Sequence, residues 1–423
     1  MQSKLFNNIM LTLIGKGLEL TIFYIIQILL TKSLTTSEFG IYSKWLIAVN
    51  YATVILTFGL NYSILFFTTS KKITIWSALL INIIMYCILS LSLMGLFYFN
   101  NFDLFEKKYF ILYTFLSLLI TTYITVPMIY EDFLLYNILN LLKRIFSLVF
   151  LSLIFFSVFI PSAINVIKLD SYSLMLLMVI CIIYIFFYLI RKEKLIIILN
   201  LSILKNYIIY GFKNISFNIL GISMYSLDVF IVSYFLDSIS IAYYVIAGSL
   251  VKITWFLVDN AGTVIFPKFI KNIQNNNDTF KIINVINQFS LLITVLLIVL
   301  FIFFGKDFLT VIYKPDYQKA YLATIILLLG SPGMVIYKLY SRYFASKNSF
   351  RMLYYSLIIS IILNVILNFV LIPHWGIEGA AFSSFVSYWF CGLFIAANSN
   401  NKILNLFNYN ESKKLILKNI LLK

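Results

Sequence analysis

Apolar residues run along this chain in stretches of about twenty, parted by short polar connections. A stretch of that length crosses a hydrocarbon core of ~30 Å as an α-helix. A membrane β-barrel would instead show alternating segments of about ten residues, and none stand out. The pattern predicts twelve spanning helices, at 8–31, 42–68, 73–98, 110–130, 141–160, 172–190, 208–235, 241–266, 282–304, 319–341, 352–372 and 377–396. No connection exceeds about fifteen residues, so neither face has room for a soluble domain and function has to sit within the membrane. The longest polar interruption, "RKEKLIIILNLSILK" at 191–205, separates six helices from six. The expected organisation is an N-terminal bundle at 1–192, a cytoplasmic linker at 193–207, a C-terminal bundle at 208–396, and a basic tail at 397–423 that is either an amphipathic helix on the membrane surface or disordered.

Composition agrees with this class: 62% of the residues are hydrophobic and 11% charged, against roughly a quarter charged in soluble domains. Cys87, Cys181 and Cys391 lie singly inside apolar runs and read as small hydrophobes. The N-terminus is read as a retained first helix, because Lys16 and Glu19 interrupt its apolar stretch and no small-residue cleavage site follows. The net charge of +16 needs no nucleic acid to explain it. Twenty of the 32 lysines and arginines fall in the termini and even-numbered connections and seven in the odd-numbered ones, a positive-inside bias that places both ends in the cytoplasm.

The five remaining basic residues, Lys16, Lys44, Lys213, Lys252 and Lys338, lie within the spans, as do the acids Glu19, Asp228 and Asp259. Each charge at a helix centre costs roughly 2.5–3.5 kcal/mol, so these groups must line a wet cavity, pair, or reach the interface. Lys16 and Glu19 share a helix face, as do Lys252 and Asp259 two turns apart. Lys213 and Lys44 sit near span ends, where reaching to the interface is the plain alternative. Lys252 is too deep for that and is the strongest candidate for a cavity-lining cation. Asp228 reads either as a proton or ion site or as a partner for a lysine elsewhere. Arg342, one turn after Lys338, is a cytoplasmic anchor or, with Lys44, a cavity mouth. Gly330, Pro332 and Gly333 in "LLGSPGMVIYK" are expected to kink or break the tenth helix. The surplus of cations favours an anionic cargo.

A shift of 202 places Tyr42 on Tyr244 and Asn50 on Lys252, and the fifth and eleventh spans both end in Ile-Pro (Ile160-Pro161, Ile372-Pro373), which suggests a repeat of six helices. In "LNVILNFVLIPHWGIEGAAFSS" at 363–384, Pro373 ends one helix, Gly376 supports a turn, and Gly379, Ala380 and Ala381 start the next with small residues. His374, Trp375 and Glu378 fall at the external interface.

The corner Asn364, Asn368, Leu371, Ile372, Pro373, Gly376, Ile377, Gly379, Ala380, Ala381 resembles that of the MOP (multidrug/oligosaccharidyl-lipid/polysaccharide) exporter superfamily. Within it, "LLTKSLTTSEFGIYSKW" and "SLDVFIVSYFLDSISIAYYVIAGSL" are similar to stretches of Wzx-type flippases. The family's proline near the start of the seventh helix is absent from "YGFKNISFN", and Ala242 stands where a glycine is expected. The resemblance implies an all-α integral membrane fold of two six-helix bundles in a V. It also implies transport, by rocking of the halves, of a lipid-linked oligosaccharide such as an O-antigen unit of lipopolysaccharide across a bacterial inner membrane. Lys16, Lys213, Lys252 and Lys338 would then attract the pyrophosphate, Glu19, Asp228 and Asp259 would moderate binding or carry a coupling H⁺ or Na⁺, and no cofactor is implied. Membrane lipids, a polysaccharide polymerase and a chain-length regulator are the implied partners. A MATE-type drug antiporter shares the helix plan, but a cationic drug would need an acidic cavity. A membrane polymerase or glycosyltransferase would need acid–base or metal-ligand clusters on a large external loop, and no nucleotide-binding GxxxxGK[ST] is present.

Overall fold

The computed structural model describes residues 2–99, 107–197, 201–271, 276–346 and 350–399. These form α1 (Gln2–Ser33), α2 (Thr36–Leu56), α3 (Leu60–Thr69), α4 (Ile75–Phe99), α5 (Lys107–Ile129), α6 (Phe133–Phe155), α7 (Ala163–Lys192), α8 (Leu201–Phe235), α9 (Ser238–Lys271), α10 (Asn276–Ile312), α11 (Tyr321–Ser346) and α12 (Phe350–Ala397), with a 3₁₀ turn at Pro315–Ala320. No strand occurs among the described residues. Eleven of the helices are long and apolar enough to cross a membrane, so the chain is a multi-pass membrane protein. α12 is 48 residues long and turns back at Gly376 (φ 59, ψ −136). At 1.5 Å per residue it would otherwise extend about 70 Å, twice one crossing. Its two arms are the eleventh and twelfth expected spans. Gly379 keeps the turn tight, because a Cβ there would lie 2.6 Å from the Leu371 carbonyl oxygen. The tail beyond residue 399 lies outside the described residues.

The chain forms two compact units, Met1–Ile219 and Leu220–Lys423. The division falls inside α8, after the polar 193–207 segment. In the first unit α5 is central and touches α2, α3, α4, α6 and α7, while α1 lies along α6. In the second, α11 is central against α9, α10 and α12.

Most helices begin before the hydrophobic pattern predicts, α6 and α7 by the widest margin. α6 starts at Phe133, capped by Asp132, whose carboxylate accepts from the Leu135 N–H. α7 starts at Ala163, where the Ser162 hydroxyl accepts from the Asn165 N–H. Such caps satisfy backbone donors left open at a helix start. The expected second span is broken into α2 and α3, with Phe58 (φ 45) and Gly59 (φ 66) in left-handed conformations. α8 crosses at this break so closely that a Cβ on Gly59 would lie 2.1 Å from the Gly211 carbonyl oxygen. The tenth expected span shows the reverse: α11 runs on as one helix through Pro332. Its glycines serve close packing, since a Cβ on Gly333 would lie 2.4 Å from the Tyr388 carbonyl oxygen, and one on Gly392 would lie 2.2 Å from that of Gly333.

Candidate functional site

In the first unit the segment Glu38 to Tyr42 docks α2 onto α7. Thr35 caps α2, the Glu38 carboxylate accepts from the Ala163 N–H at the start of α7, and the Tyr42 hydroxyl donates to Asp170 Oδ2 at 3.1 Å. Ser147 of α6 donates to Asp170 Oδ1 at 2.7 Å, and Tyr113 of α5 lies against the same carboxylate. Asp170 is buried, about two turns inside α7. Lys143 and Arg144, assigned to a connection from the sequence, stand mid-way along α6 because that helix begins at Phe133. Both are close enough to Asp170 to act on its charge, and Lys143 also feels Glu19. Moving these two residues out of the loop count leaves the positive-inside bias in place.

Sequence reasoning missed this cluster. The polar run Asn137, Asn140, Lys143, Arg144 looks like a loop, but leucines at 134, 135, 139, 141 and 142 and Ile138 continue a helical pattern after an Asp N-cap, which was the available signal. The Lys16–Glu19 pair forms, at 3.2 Å, on α1, with Lys16 also over the Tyr136 ring. Lys44 is half-buried and Lys213 exposed.

In the second unit Asp228 of α8 is 2% exposed. It accepts from Tyr244 of α9 at 2.8 Å, from Asn368 of α12 at 3.0 Å, and from Ser384 on the returning arm of α12. Asn368 donates also to Asn364 Oδ1 at 2.9 Å. The two asparagines of the corner motif therefore close a cage around Asp228, and no cation pairs with it among the described residues. One oxygen of the cage, Asn368 Oδ1, is buried without a hydrogen-bond partner.

Lys252 and Asp259, which share a helix face, do not pair with each other. Asp259 is taken by Lys338 of α11, whose ammonium reaches both carboxylate oxygens at 2.8 Å and lies 5.5 Å from the Trp255 ring. Two residues on one helix face lose here to a residue that packing delivers from a neighbouring helix. Lys252 stays exposed, and the charge that acts on it is Lys338. Arg342 is half-buried one turn beyond Lys338. Of the sequence-predicted residues, the structure thus joins Lys16 with Glu19 and Lys338 with Asp259, surrounds Asp228 with neutral donors, and leaves Lys252 without a carboxylate at ion-pair distance among the described residues. At the start of α9, in the connection from α8, the Ser240 hydroxyl and N–H hydrogen bonds hold the Asp237 carboxyl below the usual carboxylate range.

Solved structures share the fold over nearly the whole chain. "Lipid II flippase MurJ, inward closed conformation" superposes with a TM-score of 0.75 at 15% identity, covering 98% of this chain and 92% of that one. The fold is that of the MOP-superfamily transporters. An inward-facing multidrug resistance MATE transporter of that superfamily gives 0.69 at 11% identity, covering 93% and 96%. The Vibrio cholerae MATE transporter VcmN, in a mutant form, gives 0.65 at 11%, covering 99% and 97%. No family model and no curated protein matches the sequence. At these identities the MOP likeness is one of fold.

Proposed function

We propose that this chain is a MOP-type flippase that carries a polyprenyl-pyrophosphate-linked oligosaccharide, an O-antigen or similar repeat unit, from the inner to the outer leaflet of a bacterial cytoplasmic membrane by alternating access. Both termini lie in the cytoplasm in this reading. A polysaccharide polymerase and a chain-length regulator act on what it delivers. The observation that carries the reading is Lys252, the fifteenth residue of the 34-residue α9, exposed and beside another cation rather than an acid. A lone ammonium at that depth is costly against acyl chains and is relieved by an anionic cargo. Lys16 and Lys213 in the first unit and Lys338 in the second are the further cations of this reading, with Lys44 and Arg342 nearer the helix ends. The likeness to a lipid II flippase and the Wzx-like motifs support a lipid-linked substrate.

Asp228 is the proposed coupling site. Its carboxylate needs one positive charge that the surrounding side chains do not supply. The unpartnered Asn368 Oδ1, with Asp228, Asn364, Tyr244 and Ser384, offers an all-oxygen shell that fits H⁺ or Na⁺. A single carboxylate among neutral oxygens suits one charge better than two. The bound ion would supply the energy of its gradient.

Deleting the protein in its host should leave a lipid-linked oligosaccharide on the inner leaflet; if none accumulates, the flippase reading fails. Lys252→Glu should abolish export while the protein remains in the membrane. Unchanged export in that variant would remove Lys252 from the path. The MATE-like neighbours favour drug antiport as the second reading, and export of an organic cation by inverted vesicles would establish it.

A further inference from the structure

At the end of the first unit where α3 and α5 stop and α4 starts, the chain forms a half-open cavity of about 490 Å³, lined on its polar side by Lys71, Lys72, Thr74, Tyr130 and Glu193 and on its apolar side by Ile75 and Ile129 among others. Lys71 is held in the left-handed region (φ 56). It occupies the turn that closes α3, where the Lys72 N–H donates to the Phe67 carbonyl at 2.9 Å and the Lys71 N–H to that of Thr68 at 3.0 Å. That position normally takes glycine, so a lysine there is conformationally costly. The Lys72 ammonium lies over the rings of Phe66 and Phe67. Neither lysine has a carboxylate at ion-pair distance among the described residues.

The segment after α7 forms another wall. Thr74 donates to the Ile196 carbonyl at 2.7 Å, Tyr130 donates to Glu193 at 3.1 Å, and Lys192 sits over the Tyr130 and Tyr188 rings. Two ammonium groups beside an isoleucine surface, at the level where spanning helices end, match a phosphodiester whose acyl chains continue into the bilayer. We propose that this pocket binds the phosphate headgroup of an anionic phospholipid and so fastens the segment at 193–197 to the ends of α3 and α5. The Glu193 carboxylate at its rim opposes the anion and keeps binding reversible. The site is independent of the cargo reading.

Full-length protein in zwitterionic nanodiscs, titrated with phosphatidylglycerol and followed by its unfolding midpoint, tests the assignment. A saturable rise is expected. Lys71→Gln and Lys72→Gln should each weaken the apparent affinity about fivefold, Glu193→Gln should strengthen it, and Arg351→Gln in the second unit should leave it unchanged. An equal rise with phosphatidylcholine, with inorganic phosphate, or in the double lysine variant would overturn the assignment. Should the double variant fail to fold, an unaltered affinity in Glu193→Gln would overturn it equally.

Discussion

Each unit buries one aspartate and points a tyrosine at it, yet the two aspartates are balanced differently. Tyr42 donates to Asp170 and Tyr244 to Asp228, and these tyrosines, 202 residues apart, are each the seventh residue of their helix, α2 and α9. Asp170 has Lys143 and Arg144 close by. Among the described residues Asp228 has hydroxyls and amides around it, and an unused carbonyl oxygen in its cage. A buried charge with protein counter-charges is a fixed part of the architecture, whereas one surrounded by neutral dipoles must take its counter-charge from outside. In the proposed reading, the same tyrosine–aspartate contact serves as a clamp in one unit and an exchangeable site in the other.

The contrast is most severely tested by truncation. Asp170→Ala strands Lys143 and Arg144 and should cost about 3–5 kcal/mol, seen as lost accumulation in the membrane or a much lower melting temperature. Asp228→Ala leaves neutral donors unpaired and should cost about 1–3 kcal/mol. Equal losses would abolish the distinction. A double-mutant cycle of Asp170→Asn with Arg144→Gln should show a coupling of roughly 0.5–3 kcal/mol; a cycle reading zero would mean that Arg144 does not balance Asp170. Asp228→Asn keeps shape and most hydrogen bonds, so folding should change by about 1 kcal/mol while transport in vesicles loses its response to a proton or Na⁺ gradient. An intact response would place coupling elsewhere. Tyr42→Phe and Tyr244→Phe each delete one hydroxyl and should lower stability by about 1 kcal/mol, with only the second altering ion dependence.

Much of this was legible in residue order. The corner at Pro373 and Gly376 was readable because proline and glycine dictate backbone locally. Pairing of Lys16 with Glu19 was readable because three residues on one helix fix a neighbour. The motif residues were recognisable, but their work was not. Glu38 and Tyr42 hold α2 to α7, and Asn364 and Asn368 cage Asp228, contacts with partners 20 to 140 positions away in the chain. Lys143, Arg144 and Asp170 were hidden because polar residues at the edge of an apolar run look like a loop until the cap shows where the helix begins.

By itself, the sequence determined that the chain lives in a bilayer, roughly where it crosses, and which charges are too deep to ignore, because hydrophobic length and the cost of a charge in hydrocarbon are properties of each segment. The tertiary structure alone decided which charge answers which. A carboxylate takes whichever donor packing brings within about 3 Å, and Lys338 came to Asp259 from another helix while Lys252, on the same face, did not.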